Sequence, residues 1–470
     1  MQFHEITLYR LLFLHKRARI LNMFKNLSKE NRDFYRRLVF LAPPVVFSEL
    51  LNSLVNILDT LMIGRAMGIE QVTAVALANQ IFFVYVVVFW GIVGGCGIFI
   101  GQYWGKGERH NIQKTVGLGL SCSMVICLIF FIPCFFFPRF MIGIFSQDPV
   151  VIEYGAGFLQ IMSLCYFFVA ITFTRNGSMR NTGQTKLPMV TTSAALIINL
   201  ILNYLFIFVL GLPLTMVALG TVIARFIELC LQQYFIVRYD IPVRGNLKQY
   251  LSYDLAFVKK FFKVSIYLVL GLSTWSIGTA IYHAAYAYAG TNAQGAVRIS
   301  GTMAQLFMVF GMALGVTTQI IMSNTLGSGD RELAIRYSRK CMALSLGVNG
   351  LMSLLMILSS PLILIFFDPE PEVRHYVLML NLIFAGGLIL RSTNFVNISG
   401  TLRSGGDTRF NFWLDIVAVW CIGIPIAFIT AAYFGMPIYW VVLLVHFDEI
   451  FKFILGTRRV FSNKWANRLV

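Results

Sequence analysis

Charge is scarce in this chain, and acidic charge scarcer still. Only 13% of its 470 residues are Asp, Glu, Lys or Arg, where soluble domains carry about 25%, so a soluble globular protein is excluded. Cysteine is sparse and unpaired in pattern. The eight (Cys96, Cys122, Cys127, Cys134, Cys165, Cys230, Cys341, Cys421) lie almost all in apolar runs with no C-x-x-C, which excludes a disulfide framework and a zinc site. Six scattered histidines show no H-x-x-x-H spacing, so no metal-ligand or membrane-enzyme constellation forms. Alternating ten-residue strands are missing, which excludes a β-barrel. The apolar patch at residues 11–14 is too short for a signal-peptide core, and no A-x-A cleavage pattern follows it.

What is present is apolar length. The chain is 57% hydrophobic with mean hydropathy +0.73. Runs of about 20 residues, each able to cross the hydrocarbon as a helix, fall near 39–63, 72–100, 116–138, 152–174, 187–211, 213–237, 262–289, 297–325, 341–367, 377–400, 410–434 and 437–456. The expected fold is all-α, with twelve transmembrane helices.

The net charge of +17 is confined. Most Lys and Arg lie in the two tails and in the loops after even-numbered spans. The opposite loops hold Arg65, Arg139, Arg298 and Arg374, while Arg225 and Arg391 fall inside spans. This positive-inside pattern places both termini in the cytoplasm and leaves no basic surface for nucleic acid.

The chain also repeats itself. Gly105-Lys106-Gly107-Glu108-Arg109 matches Gly327-Ser328-Gly329-Asp330-Arg331, and M-R-N-T-G-Q-T-K from Met179 matches L-R-S-G-G-D-T-R from Leu402. Ile144-Phe145-Ser146-Gln147-Asp148-Pro149 resembles Ile365-Phe366-Phe367-Asp368-Pro369. One spacing serves all three, so two six-helix halves share a topology and a pseudo-two-fold axis along the membrane normal. The boundaries read 1–38 for a basic cytoplasmic tail, 39–237 for the N-lobe, 238–261 for the linker, 262–456 for the C-lobe and 457–470 for a second tail. Met23 offers a second start. The G-x-G segments lack the strand and G-K-[ST] of a phosphate loop and read as helix-capping turns.

The first span carries Glu49, Asn52, Ser53, Asn56 and Asp59 on about a third of its circumference. A mid-membrane carboxylate costs about 2.5 to 3.5 kcal/mol even on mild scales, so this stripe faces protein or a water-filled cavity. Arg225 and Glu228, three apart on one helix face, are expected to pair. Asp415 has no partner evident in sequence.

The double proline of the first span with L-D-T-L-M-I-G, the G-x-x-x-G-K-G-E loop, R-N-T-G-Q-T-K with its twin R-S-G-G-D-T-R, and the duplication together resemble the multidrug and toxic compound extrusion (MATE) family. The likeness is to its bacterial NorM and DinF type and covers about residues 37–459. It implies a monomeric secondary transporter of the bacterial inner membrane, with no enzyme activity and no cofactor, exporting small organic cations in exchange for H⁺ or Na⁺. It implies that Asp59 is the cation-coupling acid, a transient Na⁺ there being the one metal contact, with Asn199 beside it. The family acid four residues later is Asn203 here, and Glu49 could stand in for it. The acids expected in the seventh and tenth spans are missing, which argues against a sodium site in the second lobe, and Ile281 holds the place equivalent to Asp59.

The coupling set is therefore Asp59, Asn199, Asn203, Asn56, Asn52 and Glu49. Flat cations bind ring faces and thioethers, which makes Tyr282, Tyr286, Trp275 and Met303 candidate cavity residues, with His283 as a second titrating group. The rival readings are a lipid-linked oligosaccharide flippase of the same superfamily, whose cavity would need several arginines, and a non-transporting channel or receptor.

Overall fold

The computed structural model describes residues 28–367 and 371–470. The tail expected before residue 28 and the Asp368-Pro369 landmark lie outside the described residues. Among these, the chain is helical, with no strand. The helices are α1 (Lys29–Ala66), α2 (Ile69–Lys106), α3 (Arg109–Phe136), α4 (Pro149–Ser163, bent by 49° into Cys165–Asn181), α5 (Lys186–Tyr204), α6 (Leu214–Arg238), α7 (Leu255–Tyr286), α8 (Thr291–Gly327), α9 (Arg331–Phe367), α10 (Pro371–Phe395), α11 (Thr408–Ile416) and α12 (Ile438–Val445, then Phe447–Phe461). Wider π turns extend α5, α10 and α11, the last as far as Tyr433.

Among the described residues nine helices are long and apolar enough to cross a membrane, and the bent α4 makes ten. α7 and the broken α12 pack in the same bundle and complete twelve. α1 and α2 have 38 residues each, about 57 Å at 1.5 Å per residue, far longer than their apolar runs. Hydropathy registers only the lipid-embedded part of a helix, whereas Ser28 accepts from the Asn31 N–H and starts α1 ten residues earlier than expected.

The repeat is visible in the packing. α2 lies against α7 and α8, and α8 against α1 and α2, while α1 packs on α5 as α7 packs on α11. Exchanging the lobes leaves this pattern unchanged. The repeated motifs are turns, as expected. Gly107 and Gly329 stand at φ +82° and +92°, Gly183 and Gly406 at +79° and +78°, a left-handed conformation that glycine adopts without strain. Asp330 caps α9 through the Leu333 N–H at 2.9 Å, and Glu108 meets Lys106 at 2.6 Å.

Among the described residues the apolar clusters shared between lobes gather at one end. Toward the far end from the termini, the apolar core of each lobe is built from that lobe alone, one around Tyr85 and Tyr166 and the other around Ala285 and Val441. At the termini-bearing end both cores cross between lobes. Phe257 and Phe261 of α7 join Phe99 of α2, and Phe34 of α1 joins Tyr337 and Trp465. The bundle is thus a V, closed at that end.

Small residues make the closure. A Cβ on Gly101 would lie 2.5 Å from Ser323 Cβ, and one on Gly105 or Gly327 would run into the backbone of Asn324 or Gln102. The segment expected as a second tail is packed rather than loose. Trp465 is fully buried, Arg331 donates to the carbonyls of Ala466 and Asn463, and Gln102 of α2 bonds to Ser404, Asn467 and Leu469.

Gly101→Val overpacks this crossing and is expected to destabilise the protein by about 1 to 3 kcal/mol. Gly350→Ala, with nothing within 4 Å of the added carbon, stabilises slightly. Thermal unfolding of the two purified variants checks the contrast.

Candidate functional site

α1 and α5 bring together part of the expected coupling set. Asn203 Nδ2 donates to Asp59 Oδ1 at 3.1 Å and to Asn199 Oδ1 at 3.4 Å, and Asn199 Nδ2 donates to Thr221 Oγ1 of α6 at 3.1 Å. The spacing of four explains it, since Asn199 and Asn203 share one face of α5 and both are buried. Among the described residues no Lys or Arg lies within ion-pair distance of Asp59. Asn203 Oδ1 is buried without a hydrogen-bond partner, an acceptor left over beside the carboxylate.

The rest of the stripe goes elsewhere. Glu49 pairs with Arg180 of α4 at 3.4 Å, and its side chain stays 31% exposed. Asn52 is half-buried and Asn56 exposed. Glu49 lies ten residues from Asp59, about 15 Å along the helix, and answers to a permanent cation.

Arg225 and Glu228 pair as expected, at 2.9 Å. The Glu228 carboxylate, fully buried, also accepts from Thr192 at 2.8 Å and Asn176 at 3.4 Å. Arg175, Arg180 and Arg403, which the sequence reading counted with the loops, lie in or at the ends of helices. Hydropathy alone misplaces them because their helices run on past the apolar stretch.

In the C-lobe, Tyr282 donates to Asp448 Oδ2 at 3.0 Å. Tyr282 and Tyr286 stack with centroids 6.4 Å apart, and His283 meets Tyr286 edge-on at 5.9 Å. Tyr286 is buried in the apolar core, with Met303 packed against it. Trp275, half-buried, sits two turns toward the closed end. Absence of acids from α7 and from residues 376–403 does not leave this lobe without carboxylates in its apolar runs, because Asp415 on α11 and Asp448 and Glu449 on α12 supply three. The last two went unnoticed in the sequence although His446-Phe447-Asp448-Glu449 interrupts an apolar run. Among the described residues no group of three His, Cys, Asp or Glu is arranged to hold a metal ion.

The MatE family model matches residues 44–205 and again residues 267–429. The chain belongs to the MatE family. The two matches are displaced by 223 to 224 residues, in step with the internal repeat, so each lobe is one copy of the family unit. The chain is 25% identical to the uncharacterized transporter YisQ of Bacillus subtilis over 456 residues, 95% of this chain and 98% of that one. It is 26% identical to the probable multidrug resistance protein NorM of Thermotoga maritima over 468 residues, 96% and 97% of the two chains. In fold it resembles a multidrug resistance MATE family transporter of the MOP superfamily solved in an outward-facing conformation, with TM-score 0.83, 16% identity, and 91% and 96% of the chains covered. This is a family of multi-span membrane transporters for small organic compounds, and the chain is not an enzyme.

Within this MatE scaffold, Glu228→Gln leaves the buried Arg225 without its counter-charge and is expected to destabilise by about 3 to 5 kcal/mol. The paired replacement Arg225→Met/Glu228→Leu regains most of that loss. Thermal unfolding of single and double variants measures both.

Proposed function

We propose that this chain is an antiporter that exports amphipathic organic cations in exchange for H⁺ or Na⁺, with Asp59 as the coupling group. One observation carries the reading. Asp59 accepts from the side-chain amide of Asn203, with no Lys or Arg within ion-pair distance among the described residues and with an unused acceptor on Asn203 beside it. A carboxylate so placed is stabilised by taking up a proton or small cation when water is excluded, and it releases that cation when the cavity wets. The names of the relatives, multidrug resistance proteins among them, support a drug-like cargo.

The charge asymmetry of the loops supports a bacterial inner-membrane orientation with both termini in the cytoplasm. The open arm of the V then faces outward. Each lobe core and the crossing between lobes lie within one chain, so a monomer suffices. The cycle requires the closed end to part and the far end to close, with Asp59 loaded from outside and cargo from inside.

The driving force is adequate. One charge moving down 100 mV releases about 2.3 kcal/mol, and half a pH unit adds about 0.7 kcal/mol. Together they sustain a gradient of about 100-fold for neutral cargo. A monovalent cation exchanged one for one cancels the voltage contribution and is left with the pH gradient.

The test is uptake of a fluorescent cation into inverted vesicles, driven in turn by ΔpH and by a Na⁺ gradient. Asp59→Asn is expected to abolish accumulation above equilibrium under whichever gradient drives the wild type. Full coupled uptake by that variant refutes the role of Asp59. Failure of both gradients in the wild type refutes antiport.

A further inference from the structure

The C-lobe holds a second set of buried charges that the antiport reading does not use. Lys452, 4% exposed, places its Nζ 3.3 Å from Glu449 Oε1 and 3.9 Å from Asp415 Oδ1. Asp448, 5% exposed, lies one turn earlier on the same helix. Arg403, Arg391 and His446 flank the set, and among the described residues none of them is within ion-pair distance of its carboxylates. Arg403 of α10 donates to Ser399 Oγ at 3.2 Å and presses on α2 at Gly94. Arg391 approaches Glu449 from α10, and the His446 Nδ1 lies 2.7 Å from the Val442 carbonyl. The ammonium of Lys452 is therefore the cation seated between Asp415 and Glu449.

A second observation points to a cation place rather than a chance cluster. Asn394, 3% exposed, donates to Glu449 Oε2 and to the Glu449 carbonyl, both at 2.8 Å. Its Oδ1 is buried and accepts nothing. Two carboxylates, one of them held in place by an amide, are the complement of an N–H-rich cation, and an ammonium offers three donors. The lobes differ in this respect. Asp59 in the N-lobe has an amide and, among the described residues, no cation in ion-pair range, whereas Asp415 and Glu449 have one that is covalently part of the chain.

We propose that Asp415 and Glu449, the latter positioned by Asn394, form a primary-ammonium site whose occupant is the tethered side chain of Lys452, and that a free small ammonium ion enters it once the lysine is shortened. The wild-type C-lobe thus needs no free cation, and exchange is confined to Asp59. That last consequence rests on the antiport reading, while the site itself does not.

Thermal unfolding of the purified transporter tests the site without any transport measurement. Lys452→Ala is expected to unfold about 5 °C or more below the wild type in choline chloride, since removing one partner of a buried pair strands the others. Ethylammonium chloride at the same concentration is expected to restore at least half of that loss by occupying the vacated place. Wild type should unfold alike in the two salts. Equal unfolding temperatures for wild type and variant overturn the proposal, and so does a variant that choline and ethylammonium affect equally. If Lys452→Ala yields no folded protein, the neutral pair Asp415→Asn/Lys452→Gln decides: a folded transporter supports the charge balance drawn here, and another failure refutes it. An Asp59→Asn variant that disproved antiport would leave these melting curves unchanged, so the two readings fail separately.

Discussion

Inside a lipid-embedded bundle there is no bulk water to solvate a charge, so each ionised side chain has to be satisfied by the protein around it. Much of this molecule follows from that constraint. Glu228 is met by Arg225 and two polar side chains, Glu49 by Arg180, and Glu449 by Lys452 and Asn394. Each of these acids has a counter-charge that cannot leave. Asp448 and Asp59 have no such ion pair among the described residues: Asp448 accepts from Tyr282, and Asp59 is held by an asparagine whose own oxygen is unused. A protein that must alternate between two states needs most of its buried charges fixed and at least one free to change. The distribution of cations around these carboxylates divides them in that way.

The backbone is symmetric and the chemistry is not. The two lobes pack by the same pattern, and their turns place glycines at matching left-handed positions. Yet α7 carries no acid to match Asp59 of α1, and the acids in the apolar runs of the C-lobe, Asp415, Asp448 and Glu449, stand on α11 and α12. Duplication therefore accounts for the two-armed shape and the shared hinge between arms. Loss of equivalence at a few residues accounts for the different surroundings of the carboxylates in the two arms.

Architecture was legible in the residues because hydropathy, loop charge and the repeated glycine turns each report one physical requirement: crossing lipid, staying out of it, or turning tightly. The Asp59 neighbourhood was legible for a similar reason, since a polar stripe on an apolar helix has few uses. Partners across helices were harder to see. Nothing in the spacing of Glu49 announces Arg180, 131 residues away, and the acids of α12 were hidden because a Lys and two carboxylates within one turn look like an ordinary interfacial helix end. The arginines of α4 and the end of α10 were misread because hydropathy stops where the lipid stops, while the helix continues. The aromatic cavity was over-read for Tyr286, since a ring that suits a cargo equally suits a core.

The packed carboxyl terminus has a practical side. Its last residues lie under the closed arm of the V, where Leu469 bonds to Gln102 and Trp465 is sealed from solvent. A purification handle or fluorescent reporter fused directly after Val470 would sit at the seam that the proposed cycle parts. Such a fusion would bias the very equilibrium it is meant to report, so labels belong on a flexible spacer or on another loop.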